Sequence, residues 1–363
     1  MSRVQQFLDV DCYTEAKNRA HHIYDVFDTV MVAFSGGKDS LVVLHLMREV
    51  ALERGDDRPV KVVFRDEEMI PPDVVAFVNE YRQLDWIDMR WYCTPLRGTK
   101  YILGQTQDFV QWDWRRDWIR PKPEWALTSE SLGLPTDHAF TQDEMDVLVA
   151  RDEKGKVAIC TGLRAAESLM RHAAMCSKLH ENYINATKAP QIMTVKPIFD
   201  WQENDVFRYF YDKGILYCPV YDGQLWTGAD LRVSTPLHAD SAKKFGDLRS
   251  WAPDYYDKVV ELVPEMTVQE RYFKYLDRDS VVEKYSQSFD TIMTWINENY
   301  TLDVQRRKAR KMLAAVKIRA KRSPNAYPLD YVLKQFMAGI DHKNVILPMN
   351  RTEQARRAKS EQQ

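Results

Sequence analysis

The chain has 363 residues, of which 51 are lysine or arginine and 53 are aspartate or glutamate, so its formal net charge is −2. This balance excludes a globally basic protein, and any surface for a polyanion must therefore be local. No segment has the apolar length of a membrane span, and the N-terminus lacks the apolar core of a signal peptide, so we expect a cytoplasmic protein without membrane contact.

The five cysteines are scattered along the chain, at Cys12, Cys93, Cys160, Cys176 and Cys218. Because no C-x-x-C pair is present, the pattern predicts no disulfide framework, no zinc site and no iron–sulfur cluster. The ordinary role of such a cysteine is that of a small buried apolar side chain. A thiol that acts singly at Cys160 or Cys176 is the alternative.

A strand–turn–helix pattern at residues 29–50 is the strongest signal in the sequence. The apolar run 30–34 stops at the hexapeptide SGGKDS, and a helical pattern follows. Glycines permit positive φ and close backbone approach, and a helix N-terminus directs unpaired N–H groups to the same place, which suits phosphate. A polar turn with an N-cap is the alternative. We predict phosphate contacts from Ser35, Gly36, Gly37, Lys38 and Ser40, and catalytic roles for Lys38 and Asp39, with Asp39 as a magnesium ligand.

The hexapeptide resembles the phosphate loop of the N-type ATP pyrophosphatases, a superfamily that includes the phosphoadenosine phosphosulfate (PAPS) reductases. Its spacing is not that of a Walker A loop. The resemblance implies a doubly wound, mostly parallel α/β sheet of the adenine nucleotide alpha hydrolase-like kind. It also implies ATP, or PAPS or its relative APS, as the bound nucleotide, together with Mg²⁺.

A second motif follows the predicted strand at residues 156–160. The string G-L-R-A-A-E-S from residue 162, completed by Arg171, resembles the G-x-R-x-x-[EQ]-S-x-x-R segment of PAPS reductase-like proteins. A helix from about Ala165 would place its polar side chains on adjacent turns. The resemblance implies nucleotide contacts from Gly162, Glu167 and Ser168, and an anion clamp with a catalytic role from Arg164 and Arg171. An inert surface ion pair is the alternative.

Weaker signals lie around these motifs. Asp66 and Glu68 follow the second predicted strand, at the sheet edge where open α/β folds bind ligands, so we predict nucleotide contacts; a solvated loop is the alternative. A Trp/Arg-rich segment at about 105–140 is either pinned to the core by its aromatics or a base-stacking loop. The segments 194–205 and 231–237 resemble further blocks of the same family and its mobile-element branch.

These signals divide the chain into three parts. Residues 1–240 are predicted to form the nucleotide-binding α/β domain with the Trp/Arg-rich insertion, and residues 241–348 a mainly helical region. Residues 349–363 are polar and predicted to be disordered. The predicted helix 302–322 is rich in lysine and arginine, so nucleic acid is a candidate partner of residues 306–322 and a solvated face the alternative.

The superfamily splits ATP between its α and β phosphates, so the resemblance implies an enzyme that adenylates an acceptor or that handles PAPS or APS in sulfur metabolism. PAPS reductases attack with a cysteine near the C-terminus, and this chain has none after Cys218. We therefore do not expect thiol-dependent reduction unless a protein partner supplies the thiol. The alternatives are a sulfate adenylyltransferase-like small subunit with a GTPase-like partner, a sulfur-transfer enzyme for nucleic-acid modification, and a non-catalytic nucleotide-binding regulator.

Overall fold

The computed structural model describes residues 9–168, 171–172, 175, 180–273, 278–340 and 343–360. Within them, six strands form one sheet in the order β3-β2-β1-β6-β8-β7, and β4 and β5 form a separate pair. The strands are β1 (Thr29–Ala33), β2 (Val60–Arg65), β3 (Ile87–Tyr92), β4 (Leu96–Ile102), β5 (Gln105–Gln111), β6 (Val157–Cys160), β7 (Ile184–Ala186) and β8 (Ile192–Val195). Every neighbouring pair of the large sheet is parallel except β7–β8.

Helices cover both faces of this sheet. The described α-helices are Cys12–Val26, Lys38–Glu53, Pro72–Arg82, Gln142–Ala150, Glu203–Lys213, Val220–Thr227, Ala239–Ala242, Leu248–Trp251, Pro253–Leu262, Glu265–Tyr272, Arg278–Tyr285, Phe289–Asn299, Asp303–Arg322, Leu329–Met337 and Arg351–Ser360. Because strand side chains alternate, Val32 and Val62 enter the core on one face, and Met31 and Val63 enter the core on the other. The predicted doubly wound, mostly parallel α/β sheet is confirmed.

An antiparallel hairpin that the sequence pattern did not predict leads into the Trp/Arg-rich segment. Strands β4 and β5 pair from Leu96↔Gln111 to Ile102↔Gln105. The two connecting residues, Leu103 and Gly104, both have positive φ, as tight hairpin turns require. The chain then runs without further helix or strand to residue 141.

The C-terminal helices have a hydrophobic core of their own, which includes Trp295, Leu313, Val316 and Phe336. The sequence pattern predicts one helix over residues 280–299, but the structure has two, because Ser288 caps the second by accepting from the Thr291 amide at 3.1 Å.

Within the tail predicted to be disordered, residues 351–360 form a helix in the structure. Arg357 forms a bidentate ion pair with Asp330 at 2.8 and 2.7 Å. The Asn350 side chain accepts from the Glu353 amide at 2.8 Å and caps the helix. In the described parts of the chain, no helix has the length and apolar character needed to cross a membrane.

Candidate active site

The SGGKDS turn lies between β1 and the helix Lys38–Glu53, in a space that only glycine fits. Gly36 has φ of +76°, and a Cβ there would come within 2.8 Å of Val74 and Val78 side-chain atoms. A Cβ on Gly37 would lie 2.6 Å from the Val233 side chain. The turn is therefore held tightly between the helix that carries Val74 and the segment that carries Val233.

Hydroxyl groups bind three backbone amides of this turn, the first being that of Ser35, which donates to Ser40 Oγ at 3.2 Å. The Gly37 amide donates to Ser35 Oγ at 3.3 Å, and the Lys38 amide donates to the Tyr221 hydroxyl at 2.9 Å. Ser40 Oγ donates to the Gly37 carbonyl at 2.9 Å. A phosphate would have to share or displace the neutral partners of these three amides, so anion binding here depends more on side chains than the sequence predicts.

Lys38 is buried and surrounded by acceptors. Its Nζ donates to the Leu231 carbonyl at 3.1 Å and lies 3.3 Å from the Glu203 carboxylate and 3.4 Å from that of Asp39. The ammonium also lies 5.4 Å from the centre of the Tyr221 ring. The lysine is thus held at the turn by groups from two distant parts of the chain.

The second motif meets the first one directly. A Cβ on Gly162 would lie 2.5 Å from the carbonyl carbon of Asp39 and 2.6 Å from the Ser40 nitrogen. Arg164 is buried, and its Nε donates to Asp39 Oδ1 at 2.6 Å. The two motifs meet because β1 and β6 are parallel neighbours, so their carboxyl ends lie at one sheet edge.

The helix predicted from Ala165 is only a short 3₁₀ segment, Ala165–Glu167, after which Ser168 is extended. Arg171 is nevertheless brought back to the motif, since its guanidinium pairs with Glu167 and its amide donates to Ser168 Oγ at 3.1 Å. Residues 169 and 170, which belong to the motif, lie outside the described residues.

Several positively charged side chains contribute to this site. Burial lowers the pKa of the Arg171 guanidinium, and the like charges of Arg232 and Arg164 lower it further, while the Asp39 carboxylate opposes the change. Guanidinium groups remain charged in proteins. Lys38, Arg164 and Arg171 pair with the carboxylates of Asp39 and Glu167, and together with Arg232 they form a cationic cluster whose charge those carboxylates partly offset.

Asp66 and Glu68 do not face this cluster as free carboxylates. Both side chains are fully buried. Asp66 accepts from Trp91 Nε1 at 2.8 Å and from Arg120 at 2.5 Å. Glu68 accepts from both terminal nitrogens of Arg116, at 2.8 and 2.7 Å. Both carboxylates anchor the segment that carries Arg116 and Arg120, and their contact with a nucleotide stays a prediction.

Asp66 and Glu68 anchor residues of the Trp/Arg-rich segment. Of the two alternatives for that segment, the structure corresponds to the one in which it is held against the core. Trp112 is buried, and its indole donates to the Asp66 carbonyl at 2.7 Å. Trp114 and Trp118 are 40% and 38% exposed, so the outer aromatics lie at the surface.

The structure also bears on metal and thiol chemistry. Asp39 is the one predicted metal ligand, and its two oxygens face Arg164 and Lys38. A magnesium ion there would need phosphate oxygens to complete its ligand set, since no cluster of three His, Cys, Asp or Glu side chains suited to a metal occurs among the described residues. Cys160 is buried, which raises the pKa of its thiol and favours the inert role. Cys176 lies outside the described residues.

Sequence reasoning missed Tyr221, Glu203 and Arg232. Glu203 and Arg232 lie in the segments 194–205 and 231–237, and the weak resemblance of those segments to the family could have indicated them. No sequence pattern indicated Tyr221, because only the packing of distant segments brings its hydroxyl to the turn.

Comparison with known proteins decides the family. The phosphoadenosine phosphosulfate reductase domain matches residues 29–259, well over half of the chain. The chain belongs to the PAPS reductase family. Both motifs of the site lie inside the matched range.

Similar proteins are known from bacteria, archaea and fungi. YbdN of Escherichia coli K12, which is uncharacterized, is 28% identical over 236 residues, covering 62% of this chain and 58% of YbdN. Three solved structures are similar: Candida glabrata FMN adenylyltransferase (14% identity, TM-score 0.38, 60% of this chain and 62% of that one), Candida auris PAPS reductase (15%, 0.32, 60% and 93%) and the Methanococcus maripaludis U34-tRNA thiolase NcsA (13%, 0.33, 72% and 80%). The chain spans less than two thirds of YbdN and of the adenylyltransferase, and TM-scores this low carry no argument about function.

Proposed function

We propose that this PAPS reductase-family protein is an adenylating enzyme that binds ATP with Mg²⁺ at the SGGKDS turn. The bond between the α and β phosphates breaks, and AMP passes to an acceptor. The observation that carries this proposal is the contact of the two motifs, in which Gly162 lies against the backbone of Asp39 and Arg164 pairs with its carboxylate.

The roles of the residues follow from their charges. Lys38 would stabilise the charge that develops on the leaving pyrophosphate, and Arg171 would grip the phosphoryl oxygens. Arg164 would be kept in place by Asp39, which also restrains Lys38. Magnesium would supply further neutralisation of the phosphate charge when it is bound. Positioning and charge stabilisation are the main catalytic terms for phosphoryl chemistry.

A sulfonucleotide is the second candidate ligand, since the same cationic cluster suits the phosphate and sulfate groups of PAPS or APS. Reduction of that ligand by the chain itself is not supported. No cysteine follows Cys218, and both Cys160 and Cys218 are buried. A partner protein would have to bring the thiol.

The test is release of pyrophosphate from ATP and magnesium, with candidate acceptors present. We expect Lys38→Ala to lower turnover by about 10²–10³-fold, the usual cost of losing one preorganised charge-stabilising group. Lys188→Ala is the control, because Lys188 is exposed and pairs only at the surface with Asp143. Full activity of the Lys38 variant would remove the turn from the mechanism, and binding of ATP without pyrophosphate release would favour a nucleotide-binding regulator.

Arg164 needs a gentler substitution than alanine. Removal of its guanidinium leaves Asp39 without its closest cation in a largely buried place, which destabilises the fold as well as the site. Arg164→Lys keeps the charge and loses the fork geometry. We expect it to retain the melting temperature while lowering turnover, and unchanged turnover would argue against the anion clamp.

A further inference from the structure

Residues 229–234 form a covering segment that lies directly on the SGGKDS turn. The Leu231 carbonyl accepts from Lys38 Nζ at 3.1 Å. The Val233 side chain closes on Gly37, since a Cβ on that glycine would lie only 2.6 Å from it. The segment therefore binds the ammonium group of the turn and fills the space in front of its second glycine.

The helix that precedes the covering segment adds a third contact with the turn. Tyr221 is buried in the helix Val220–Thr227, and its hydroxyl accepts from the Lys38 amide at 2.9 Å. From the same helix, the Gln224 side chain donates to the Arg232 carbonyl at 2.7 Å and accepts from the Arg232 amide at 3.1 Å. The helix and the covering segment are therefore joined, and both bind the lysine of the turn.

The donors that these residues engage are the ones that a phosphate needs. A phosphate at a helix N-terminus accepts from backbone amides and from a nearby ammonium group. The Lys38 ammonium has three N–H donors and three acceptors within 3.4 Å, the Leu231 carbonyl and the carboxylates of Glu203 and Asp39. A phosphate and the covering segment would therefore compete for the same donors.

The covering segment is attached weakly compared with the residues that follow it. It contains no helix or strand, and none of its six side chains is fully buried, whereas residues 235–237 are buried. Two of its side-chain contacts are polar: Asp230 pairs with Lys244 at 2.8 Å, and Ser234 Oγ lies 3.0 Å from Ser241 Oγ. Segments with few buried apolar contacts open at a low cost in free energy, as the lids of binding sites do.

The chain on both sides of the covering segment is held more firmly. The preceding helix ends at Gly228, whose φ of +70° suits the turn that follows, and the Ala229 amide donates back to the Gln224 carbonyl at 2.8 Å. Beyond the segment, the Leu237 carbonyl accepts from the Tyr101 amide at 2.9 Å. Movement is therefore confined to the few residues between these two points.

We propose that the covering segment is an autoinhibitory lid, which must leave the turn before the phosphates of a nucleotide bind there. Opening would separate Leu231 from the Lys38 ammonium and Val233 from Gly37. The Tyr221 hydroxyl would give up the Lys38 amide at the same time. A ligand that binds only the open form has its affinity reduced by the fraction of protein that is closed. This proposal rests on the phosphate site of the function proposed above.

The main test loosens the lid without changing a residue that contacts the turn. Gln224→Met removes both hydrogen bonds to the Arg232 backbone and leaves Tyr221, Leu231 and Val233 as they are. Calorimetric titration of the full chain with inorganic pyrophosphate, and separately with ATP, each with magnesium, measures the affinity. We expect both ligands to bind about fivefold more tightly, the equivalent of one net hydrogen bond that no longer holds the lid closed.

Tyr221→Phe tests the competition at the turn itself. It removes the acceptor of the Lys38 amide, so that this amide is left for a phosphate. The lid predicts pyrophosphate binding that is about fivefold tighter, whereas a Tyr221 hydroxyl that contacts the phosphate predicts weaker binding. Tyr217→Phe is the matched control, because the Tyr217 hydroxyl pairs with Asp222 at 3.1 Å, and this variant should bind pyrophosphate as the wild type does.

Hydrogen exchange of the full chain follows the covering segment directly. Peptides that contain residues 229–234 should exchange faster in Gln224→Met than in the wild type. Saturating pyrophosphate should also speed their exchange in the wild type, since the form that binds it is the open one. Peptides from the helix Asp303–Arg322 serve as the internal reference.

Two results would overturn the lid while leaving the proposed function intact. One is unchanged or weaker binding of pyrophosphate by the Gln224 and Tyr221 variants, and the other is exchange of residues 229–234 that pyrophosphate leaves unchanged or slows. Absence of pyrophosphate and ATP binding in the wild type and in both variants would instead overturn the proposed function, and the lid with it. Melting temperatures identify any loss of binding that is due to misfolding.

Discussion

At the scale of single residues, the site depends on backbone contact as much as on charge. Gly162 matters for what it lacks, since any side chain would collide with the backbone that joins Asp39 to Ser40. The sequence motif indicated a glycine and an arginine near phosphate, yet it carried no information about this contact. The functional side chain Arg164 is in place because the glycine before it lets the two motifs touch.

We therefore predict that Gly162→Ala separates the motifs. Its Cβ would lie 2.5 Å from the Asp39 carbonyl carbon, which cannot move without displacing the turn. The expected cost is about 1–3 kcal/mol of unfolding free energy, as for other overpacked sites, together with a large loss of pyrophosphate release. Denaturant unfolding and turnover measure both effects.

Gly98→Ala is the control for this substitution. A Cβ there would meet no atom closer than 3.6 Å, which is ordinary van der Waals contact. If Gly162→Ala keeps the stability and turnover of the wild type, the close approach of residue 162 to the backbone of Asp39 and Ser40 is not needed.

At the scale of elements, the Trp/Arg-rich segment is a fixed strap and not a free loop. Its arginines reach inward to the buried carboxylates of Asp66 and Glu68, which the strand β2 presents at its carboxyl end. Buried ion pairs are poor evidence for net stability, but the loss of one partner leaves an uncompensated buried charge. Because loss of one partner costs far more than the pair contributes, substitutions of the arginines can test whether the ion pairs hold the segment in place.

Arg116→Met should destabilise the protein by about 3–5 kcal/mol, because Glu68 loses its bidentate partner in a fully buried place. The double substitution Glu68→Gln with Arg116→Met removes both charges, keeps an acceptor for the Trp112 and Ile119 amides, and should be less destabilising than the single one. Denaturant unfolding of the two variants gives the comparison. An equal or greater loss in the double variant would contradict the anchoring role.

The C-terminal helix provides a pH-dependent element. The Arg357 guanidinium holds the pKa of Asp330 below its usual value. A carboxyl group with a lowered pKa contributes stability that is fully present above its unfolded pKa, about 3.9, and is lost as pH falls through the lower folded value. We therefore expect docking of residues 351–360 to weaken only below about pH 4.

Hydrogen exchange or limited proteolysis of residues 351–360 measures this docking. Asp330→Asn should expose the segment at neutral pH as well, and Asp290→Asn is a control because Asp290 is 89% exposed. Retained protection in Asp330→Asn would show that the ion pair does not hold the helix.

At the scale of the whole molecule, one helix departs from the near-neutral charge of the chain. The helix Asp303–Arg322 contains nine basic residues and a single acid, Arg306, Arg307, Lys308, Arg310, Lys311, Lys317, Arg319, Lys321 and Arg322 against Asp303. Its apolar stripe, including Leu313 and Val316, is buried in the C-terminal core and cannot enter a lipid surface. Nucleic acid stays a predicted partner of this helix, on the evidence of its charge alone.

We predict salt-dependent binding of nucleic acid to this helix. Replacement of the exposed Arg307, Lys311 and Arg322 with glutamine should weaken retention, and the slope of log K against log salt should fall by about one for each phosphate that is no longer neutralised. Arg208→Gln is the control, because Arg208 is exposed on the helix Glu203–Lys213 and pairs there with Asp212. Titrations at several salt concentrations measure the slope. Unchanged retention would indicate a merely solvated face.

The sequence by itself was sufficient for the local features. The strand–turn–helix pattern at residues 29–50 and the strand at 156–160 depend on periodicity and on residues that prefer one backbone conformation, and these are properties of neighbours along the chain. The family resemblance rested on the same short segments.

Only the tertiary structure decided which groups meet. Packing made Asp66 and Glu68 anchors of the Trp/Arg-rich segment, and it brought Tyr221 and Leu231 to a turn about 190 positions away along the chain. Such contacts depend on the packing of distant segments, and no local pattern of residues specifies them. The strand order of the sheet places β1 beside β6, and the two motifs form one site for that reason.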